Sequence, residues 1–137
     1  MATRPEVQMP TFVPMTIEHL ATYLEEATDA DRRWLLLLEF LEEYEHEPTS
    51  TRRSLVQAEP PTTGDDRWDA LLAGVAEWLA ARGEFVAPGW VHSPERTLSA
   101  SWCPYALASL QRLASANAPP EIRRHGVLVD PYDLVRT

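Results

Sequence analysis

Cys103 and the four histidines are the side chains best suited to nucleophilic or metal chemistry in this sequence. A nucleophilic cysteine needs a base beside it, and His92 and His125 are the nearest histidines along the chain. Neither stands at a spacing typical of a cysteine enzyme, so a buried, unreactive thiol is the favoured interpretation. The histidines also lack the HxxxH and HExxH spacings that place two metal ligands on one helix face.

Asp65, Asp66 and Asp69 are spaced closely enough to suggest a magnesium-binding group. The start of a helix explains them without an ion, because Asp65 can cap the helix and the other two complement its positive end. The sequence also lacks the GxxxxGK, GxGxxG and GxSxG patterns of phosphate loops and serine hydrolases. We therefore predict no catalytic residue, no metal and no cofactor, and we expect a protein that is not an enzyme.

Negative charge is concentrated in one third of the chain. Residues 17–47 carry ten acidic and two basic residues, a net charge of −8, whereas the whole chain carries −9. Such a surface attracts a basic protein partner and repels free nucleic acid, whose recognition needs clustered cations. The alternative is a solvated helix face that serves only solubility. The candidate partner-binding acids lie towards the end of a predicted helix, and they are Glu39, Glu42, Glu43, Glu45 and Glu47.

This acidic helix end is electrostatically unusual, because the helix macrodipole favours cations at the C-terminus. A basic partner would offset the conflict, although tertiary packing could also outweigh it. Tyr44 lies among the acids, and Trp78 lies to one side of the apolar stripe of its own helix. We therefore add Tyr44 and Trp78 to the candidate partner-binding residues, as aromatic anchors.

Arg123 and Arg124 form the compact basic run of the last third of the chain. They could contact a phosphate or another anion, or they could simply supply cations at the end of a short helix. In a DNA-binding complex these two residues, together with Arg52 and Arg53, are the candidate phosphate contacts.

Helical periodicity dominates the elements that would position these residues. Thr16 predicts a helix over 17–27, and Asp29 predicts another over 30–45. Thr49 or Ser50 predicts a short helix that ends near residue 57, and Asp65 begins the clearest one, over 66–82. In these helices Trp34 and Trp68 fall on apolar stripes and are predicted core residues.

The last third of the chain shows weaker patterns. A helix is predicted over 104–116, and short ones begin at Pro119-Pro120 and at Asp130. The triplet 127–129 predicts a short β-bridge or a buried extended tail. The apolar face of the longer helix consists of Leu107, Leu110, Leu113 and Ala114.

We therefore predict a mostly α protein, a single compact multi-helix domain of five to seven helices with at most a short β-bridge near the C-terminus. Residues 16–137 form this domain, and the Pro-broken residues 1–15 form a flexible N-terminal arm. With 137 residues, of which 45% are hydrophobic, the chain has the size and composition of one globular domain.

Composition narrows the cellular setting. The longest apolar run, Trp34–Leu38, is too short to span a membrane, and residues 1–14 lack the apolar segment of a secretory signal. One cysteine excludes a disulfide framework within the chain. We therefore expect a cytoplasmic protein.

All twelve basic residues are arginine and asparagine occurs once, which is typical of a GC-rich genome such as an actinobacterial one.

Five parts of the chain from Trp34 onward together form one pattern: WLLLLEFLEEY at 34–44, EPPTTGDDRWDALLA at 59–73, PGWV at 88–91, Trp102, and APPEIRRHGV at 118–127. With these segments the sequence resembles a family of small, largely uncharacterised actinobacterial proteins. The family pattern usually has an aromatic residue where Ile122 stands and often a third arginine where His125 stands.

Similar segments follow helix-turn-helix regions in longer regulators and occur near toxin–antitoxin-like genes. The resemblance therefore implies an antitoxin-like or regulatory interaction module, and it brings no catalytic residue. The helix over 17–27 contains no arginine or lysine, so we do not expect this chain to read DNA alone.

Three hypotheses follow for function. The first is a non-enzymatic, antitoxin-like cytoplasmic protein whose acidic helical face binds a basic or toxin-like protein partner. The second is a transcription regulator or a subunit of a DNA-binding complex, and the third is an enzyme with an unrecognised site. A homodimer is compatible with the first two.

Overall fold

The computed structural model describes residues 13–135, which form six α-helices and three single 3-10 turns. The turns span Gly89–His92, Pro94–Arg96 and Pro131–Asp133. A parallel bridge between Trp102 and Val127 is the β pairing of these residues. The predicted mostly α fold, the number of helices and the short bridge are confirmed. The helices are α1 (Ile17–Glu26), α2 (Ala30–Glu45), α3 (Thr49–Leu55), α4 (Asp66–Gly83), α5 (Ala108–Asn117) and α6 (Pro120–Arg123).

Three of the predicted helix starts are formed by the predicted caps. The side chains of Thr16, Asp29 and Asp65 accept hydrogen bonds from backbone N–H groups in the first turns of α1, α2 and α4. The start of α3 differs from prediction, because Pro48 precedes it and no side chain caps it. Capping is local chemistry, which explains why the sequence predicts it well.

The end of α4 is also different from its prediction. Gly83 was expected just beyond the helix, but it is the last helical residue, and Glu84 takes the left-handed conformation with φ 58°. A Cβ at Gly83 would lie 3.0 Å from the ring of Phe85, so a larger residue there would need this ring to shift. The chain folds back at this point, and the Phe85 N–H donates to the Ala80 carbonyl.

Helix α4 is the centre of the fold, since every residue from Trp68 to Ala80 is buried. Helices α1 and α6 and the first two 3-10 turns pack around it. The closest approach is at Gly74, where a Cβ would lie 2.9 Å from Ile122 Cα. The sequence predicts one apolar stripe on this helix, whereas the structure covers it on all sides.

Helix α5 corrects the predicted helix over 104–116. It begins only at Ala108, and Leu107, Leu110 and Leu113 are 63%, 40% and 50% exposed. Ala114 is the fully covered member of the predicted apolar face. The surface of α4 is already covered by α1, α6 and the turns, so α5 lies at the edge of the domain.

Two further predictions concern the chain ends. The arm predicted over residues 1–15 falls largely outside the described residues, but Met15 packs against the core and its N–H donates to Glu43 Oε1. Val127 and Val129 are fully buried, as a buried extended tail requires. Among the residues described, no helix combines the length and apolarity needed to cross a membrane.

The close contact at Gly74 predicts that Gly74→Ala destabilises the protein, which is the opposite of its usual effect in a helix. Gly→Ala inside an exposed helix stabilises it by about 1 kcal/mol. At position 74 the added methyl group meets the backbone of α6, so we expect Gly74→Ala to lower the free energy of unfolding by roughly 1–3 kcal/mol. Urea denaturation followed by circular dichroism measures the change. The variant Ala116→Gly on exposed α5 reports propensity alone, and a more stable Gly74→Ala protein would contradict the close packing.

Candidate protein-interaction surface

The structure divides the five candidate glutamates of α2 and its end into two groups. Glu43 and Glu45 serve the fold, since Glu43 accepts the Met15 N–H at 2.8 Å and Glu45 forms ion pairs with Arg82 and Arg52 at 3.2 and 3.6 Å. Glu39 and Glu42 are exposed, and neither forms an ion pair with any residue of 13–135. Glu47, just past the helix, is partly buried.

The C-terminal end of α2 has a cation that the sequence did not reveal. Arg52 of α3 donates from Nε to the Tyr44 carbonyl at 3.0 Å and from Nη2 to the Glu45 carbonyl. Its guanidinium group therefore satisfies carbonyls that a helix end leaves free and supplies the charge that the macrodipole favours. The expected electrostatic conflict at this end is thus offset within the chain. A turn at Pro48 brings α3 back against α2, and this reversal is not readable from local periodicity.

Neither predicted aromatic anchor is available at the surface. Tyr44 is 3% exposed, packs against Phe40 and lies under the Arg52 guanidinium group. Trp78 is 6% exposed and is covered by Arg82, whose guanidinium carbon lies 4.7 Å from the ring centroid. Both residues belong to the core. Their positions on the helices did not show whether one side of each ring would be exposed, and the neighbouring arginines cover that side.

The predicted phosphate contacts are mostly engaged within the protein. Arg52 holds the end of α2, Arg123 donates to the Ser115 carbonyl at 2.6 Å, and Arg124 forms an ion pair with Glu77 at 2.6 Å. Arg53 is exposed and makes no ion pair with the described residues. Arg52, Arg123 and Arg124 do not converge on one anion-binding surface, because each of these three bonds to a different part of the fold.

A buried ion pair that the sequence did not reveal links α4 to the end of α6. His125 Nε2 lies 2.8 Å from Glu77 Oε1, and Nδ1 lies 2.7 Å from the Arg96 carbonyl. Both ring nitrogens lie within hydrogen-bond distance of an oxygen acceptor, so the imidazole joins Glu77 of α4 to the Arg96 carbonyl. The side chains of His125 and Glu77 are only 4% and 7% exposed and contact groups of the same fold, which supports a structural role for the pair. The sequence signal was a single glutamate within the apolar run of α4.

The aspartates at the start of α4 also have structural roles. The Asp65 side chain caps the helix, and Asp69 is buried and accepts from the Thr62 and Thr63 hydroxyl groups and the Thr63 N–H. Burial alone would raise the pKa of Asp65, but the Arg67 N–H, the Arg67 guanidinium and the Arg33 guanidinium outweigh it and hold that pKa below its ordinary value. No group of three or more metal-ligating side chains occurs among residues 13–135.

Cys103 is partly buried rather than enclosed in the core. His125, one of its two possible bases, has both ring nitrogens engaged by Glu77 and Arg96. This arrangement leaves His125 no nitrogen with which to activate a thiol.

An apolar groove of about 520 Å³ lies beside the N-terminal half of α2, and we call it the α2–α5 groove. Its inner wall contains Trp68 and Trp102, whose rings meet edge to face at 5.9 Å. Leu35 on α2 is 53% exposed at its rim, and Trp34 is partly buried beside it, so Trp34 is not the full core residue that was predicted. Asp31, Trp34, Leu35, Tyr105, Leu107 and Leu110 form the outer part of its lining.

Comparisons with protein-family models, with curated proteins and with solved structures give no match to this chain.

The Arg52 contacts generate a matched pair of variants. Arg52→Leu removes hydrogen bonds from a charged donor to two carbonyls, and such bonds contribute about 1.5–3 kcal/mol each. Because the helix end is partly solvated, we expect a loss of roughly 1–3 kcal/mol in the free energy of unfolding. The neighbouring Arg53→Leu should change it by less than about 0.5 kcal/mol. Equal losses in the two variants would contradict a special role for Arg52.

The buried phenol of Tyr44 predicts a dependence on alkaline pH. Burial raises the pKa of Tyr44 from 10.0 to about 12, although Arg52 opposes the effect. A phenol whose pKa is raised by folding stabilises the folded state below pH 10 and loses that contribution as the pH rises to 12. We therefore expect the wild-type free energy of unfolding to fall more steeply over this range than that of Tyr44→Phe. Urea denaturation measures it, with Tyr23→Phe at an exposed position as control, and parallel curves would contradict the prediction.

Proposed function

We propose that this chain is a non-enzymatic, antitoxin-like interaction protein of the cytoplasm that binds a basic or toxin-like protein partner through α2. The observation that carries the proposal is the set of α2 acids that face outward while their neighbours are paired internally. Asp31, Glu39 and Glu42 are exposed, and none forms an ion pair within residues 13–135. We call these three residues the acidic face.

Helix geometry places the acidic face on one side of α2. At 100° per residue, Asp31 and Glu39 lie about 40° to either side of Leu35, and Glu42 lies about 20° from it. The three carboxylates therefore point in similar directions, and Glu39 and Glu42 stand three residues apart, a spacing at which like charges repel. The repulsion costs a few tenths of a kcal/mol per pair, and cations on a partner would relieve it.

The electrostatics of such a face favour rapid encounter. An array of unpaired surface charges accelerates association with a surface of opposite charge, and salt weakens this effect. The acids that lie in contact with Arg52 and Arg82 contribute less, because their fields are compensated locally. This argument selects Glu39 and Glu42 from the five predicted glutamates as the partner contacts.

The competing function of transcription regulator has less support. It requires arginines free to neutralise phosphates, whereas Arg52, Arg123 and Arg124 donate to protein oxygens. The internal use of these cations increases the acidity of the exposed surface, which favours a basic protein over nucleic acid.

The test combines capture with kinetics. A tagged chain is used to isolate a partner from native lysate, and association with the purified partner is then measured at two salt concentrations. We expect the double variant Glu39→Gln/Glu42→Gln to fold normally, to associate at least about fivefold more slowly at low salt, and to lose part of the salt dependence.

The matched control is Glu25→Gln/Glu84→Gln, which removes the same charge at two exposed positions off the acidic face. It should slow association much less. A basic partner whose association responds equally to both pairs would show that only net charge matters, and the proposed face would then be wrong. An unchanged rate in Glu39→Gln/Glu42→Gln would also overturn it.

A further inference from the structure

We infer that the α2–α5 groove receives an amphipathic helix of the partner, with leucine-like residues on the buried side and basic residues on the side towards the acidic face. The inference rests on the proposed function for the sign of the partner's charge. Its apolar part rests on separate observations of α5 and of the groove wall.

The first observation is that α5 diverges from the body of the protein. Leu107 and Leu110 lie within about 40° of Ala114 around the helix axis, so the three residues share one side. Ala114 is fully buried, whereas Leu107 and Leu110 are 63% and 40% exposed. The same side of the helix is therefore in contact at one end and open at the other, and the α2–α5 groove is the space left between.

The second observation is that the groove wall is already in place. Tyr105 meets the edge of Trp34 at 5.9 Å, and its hydroxyl accepts the Asp130 N–H at 3.1 Å. Arg123 holds the far end of α5 through the Ser115 carbonyl. These contacts fix both ends of the α5 wall, so a partner helix would not have to order it first.

The shape and the residue types fit one mode of recognition. Apolar side chains at i and i+3 on one wall, with a leucine of α2 on the other, form the surface that receives an amphipathic helix in a groove. A concave site lined mostly by apolar side chains is where a partner or ligand most often binds. Asp31 lies in the groove lining, and Glu39 and Glu42 continue the acidic face beyond it.

The cations near the groove do not reverse its charge. Arg67 lies over the ring of Trp102 and pairs with Asp65, and Arg112 lies about 160° around α5 from Leu110. Arg32 lines the separate cleft between α1 and α2 together with Glu26 and Glu39. A partner helix in the groove therefore meets the Asp31 carboxylate on its α2 side.

A second copy of the chain fits the groove less well. Residues 17–47 carry a net charge of −8, and a symmetric pairing through this surface would bring two such segments together. The like charges would oppose the gain from burying the leucines. A basic helix gains from both the apolar and the charged part of the surface.

The probe is a labelled Leu/Lys peptide about five helical turns long, with all leucines on one helical face. The comparison peptide has the same composition in scrambled order, which keeps the charge and removes the apolar face. We expect the amphipathic peptide to bind the full chain, and Leu35→Ser/Leu110→Ser to weaken binding at least about tenfold. Val86→Ser, at an exposed residue away from the groove, should leave it unchanged.

Methyl NMR spectra locate the contact directly. Peptide addition should shift the signals of Leu35, Leu107 and Leu110 and leave that of buried Leu72 in place. Equal binding of the scrambled peptide, or an unchanged affinity in Leu35→Ser/Leu110→Ser, would overturn the groove assignment. A concentration-dependent dimer that the same leucine variant dissociates would assign the groove to a second copy and overturn it as well.

The two proposals fail in different ways. If Glu39→Gln/Glu42→Gln weakens binding of the natural partner while the leucine variant does not, the acidic face stands and the groove inference is wrong. If the leucine variant weakens peptide binding while the glutamine variant and salt leave both peptide and partner binding unchanged, the groove binds an apolar helix and the charge-based function is wrong.

Discussion

The burial of α4 on all sides sets the conditions for the rest of the fold. A helix in that position must find partners for each polar side chain it carries, because an unpaired buried charge costs several kcal/mol. Asp69 finds them in the threonines that precede the helix, and Glu77 finds them in His125 and Arg124. The second set draws α6 and the C-terminal segment onto α4, and the close approach at Gly74 follows from the same packing.

Arginine provides most of the long-range polar connections. Seven of the ten arginines within residues 13–135 donate to other residues of that range, and several reach backbone carbonyls at helix ends. Arg33 donates to the carbonyls of Leu24 and Ala27 at the C-terminal end of α1 and also reaches Asp65, so one side chain connects three helices. The planar guanidinium group suits this work because it offers five donors in fixed directions. The consequence is that most arginines of residues 13–135 hold parts of the fold together, and several of them do so from exposed positions.

Structural features that depend on neighbouring residues are predictable from the sequence, whereas features that depend on distant parts of the chain are not. The caps at Thr16, Asp29 and Asp65 depend on contacts two or three residues away, and all three were predictable. The burial of Tyr44 and Trp78 depends on Arg52 and Arg82, which arrive from other elements or the next helical turn. The same holds for the acidic residues: their positions on α2 could be predicted from the sequence, whereas their ion pairs and hydrogen bonds could not.

The exposed leucines of α5 show how such a failure can be informative. Periodicity predicts that these residues contact other apolar groups. Apolar side chains favour such contacts even where the fold of this chain does not provide them. Ala114 is buried within the domain, whereas Leu107 and Leu110 are not. Rotation of α5 about its axis would not bury all three residues, because they already share one side of the helix. A closer approach of the N-terminal end of α5 to the protein would bury them. Tyr105, held by Trp34 and the Asp130 N–H, fixes the segment that precedes α5, so Leu107 and Leu110 remain exposed in the lining of the α2–α5 groove.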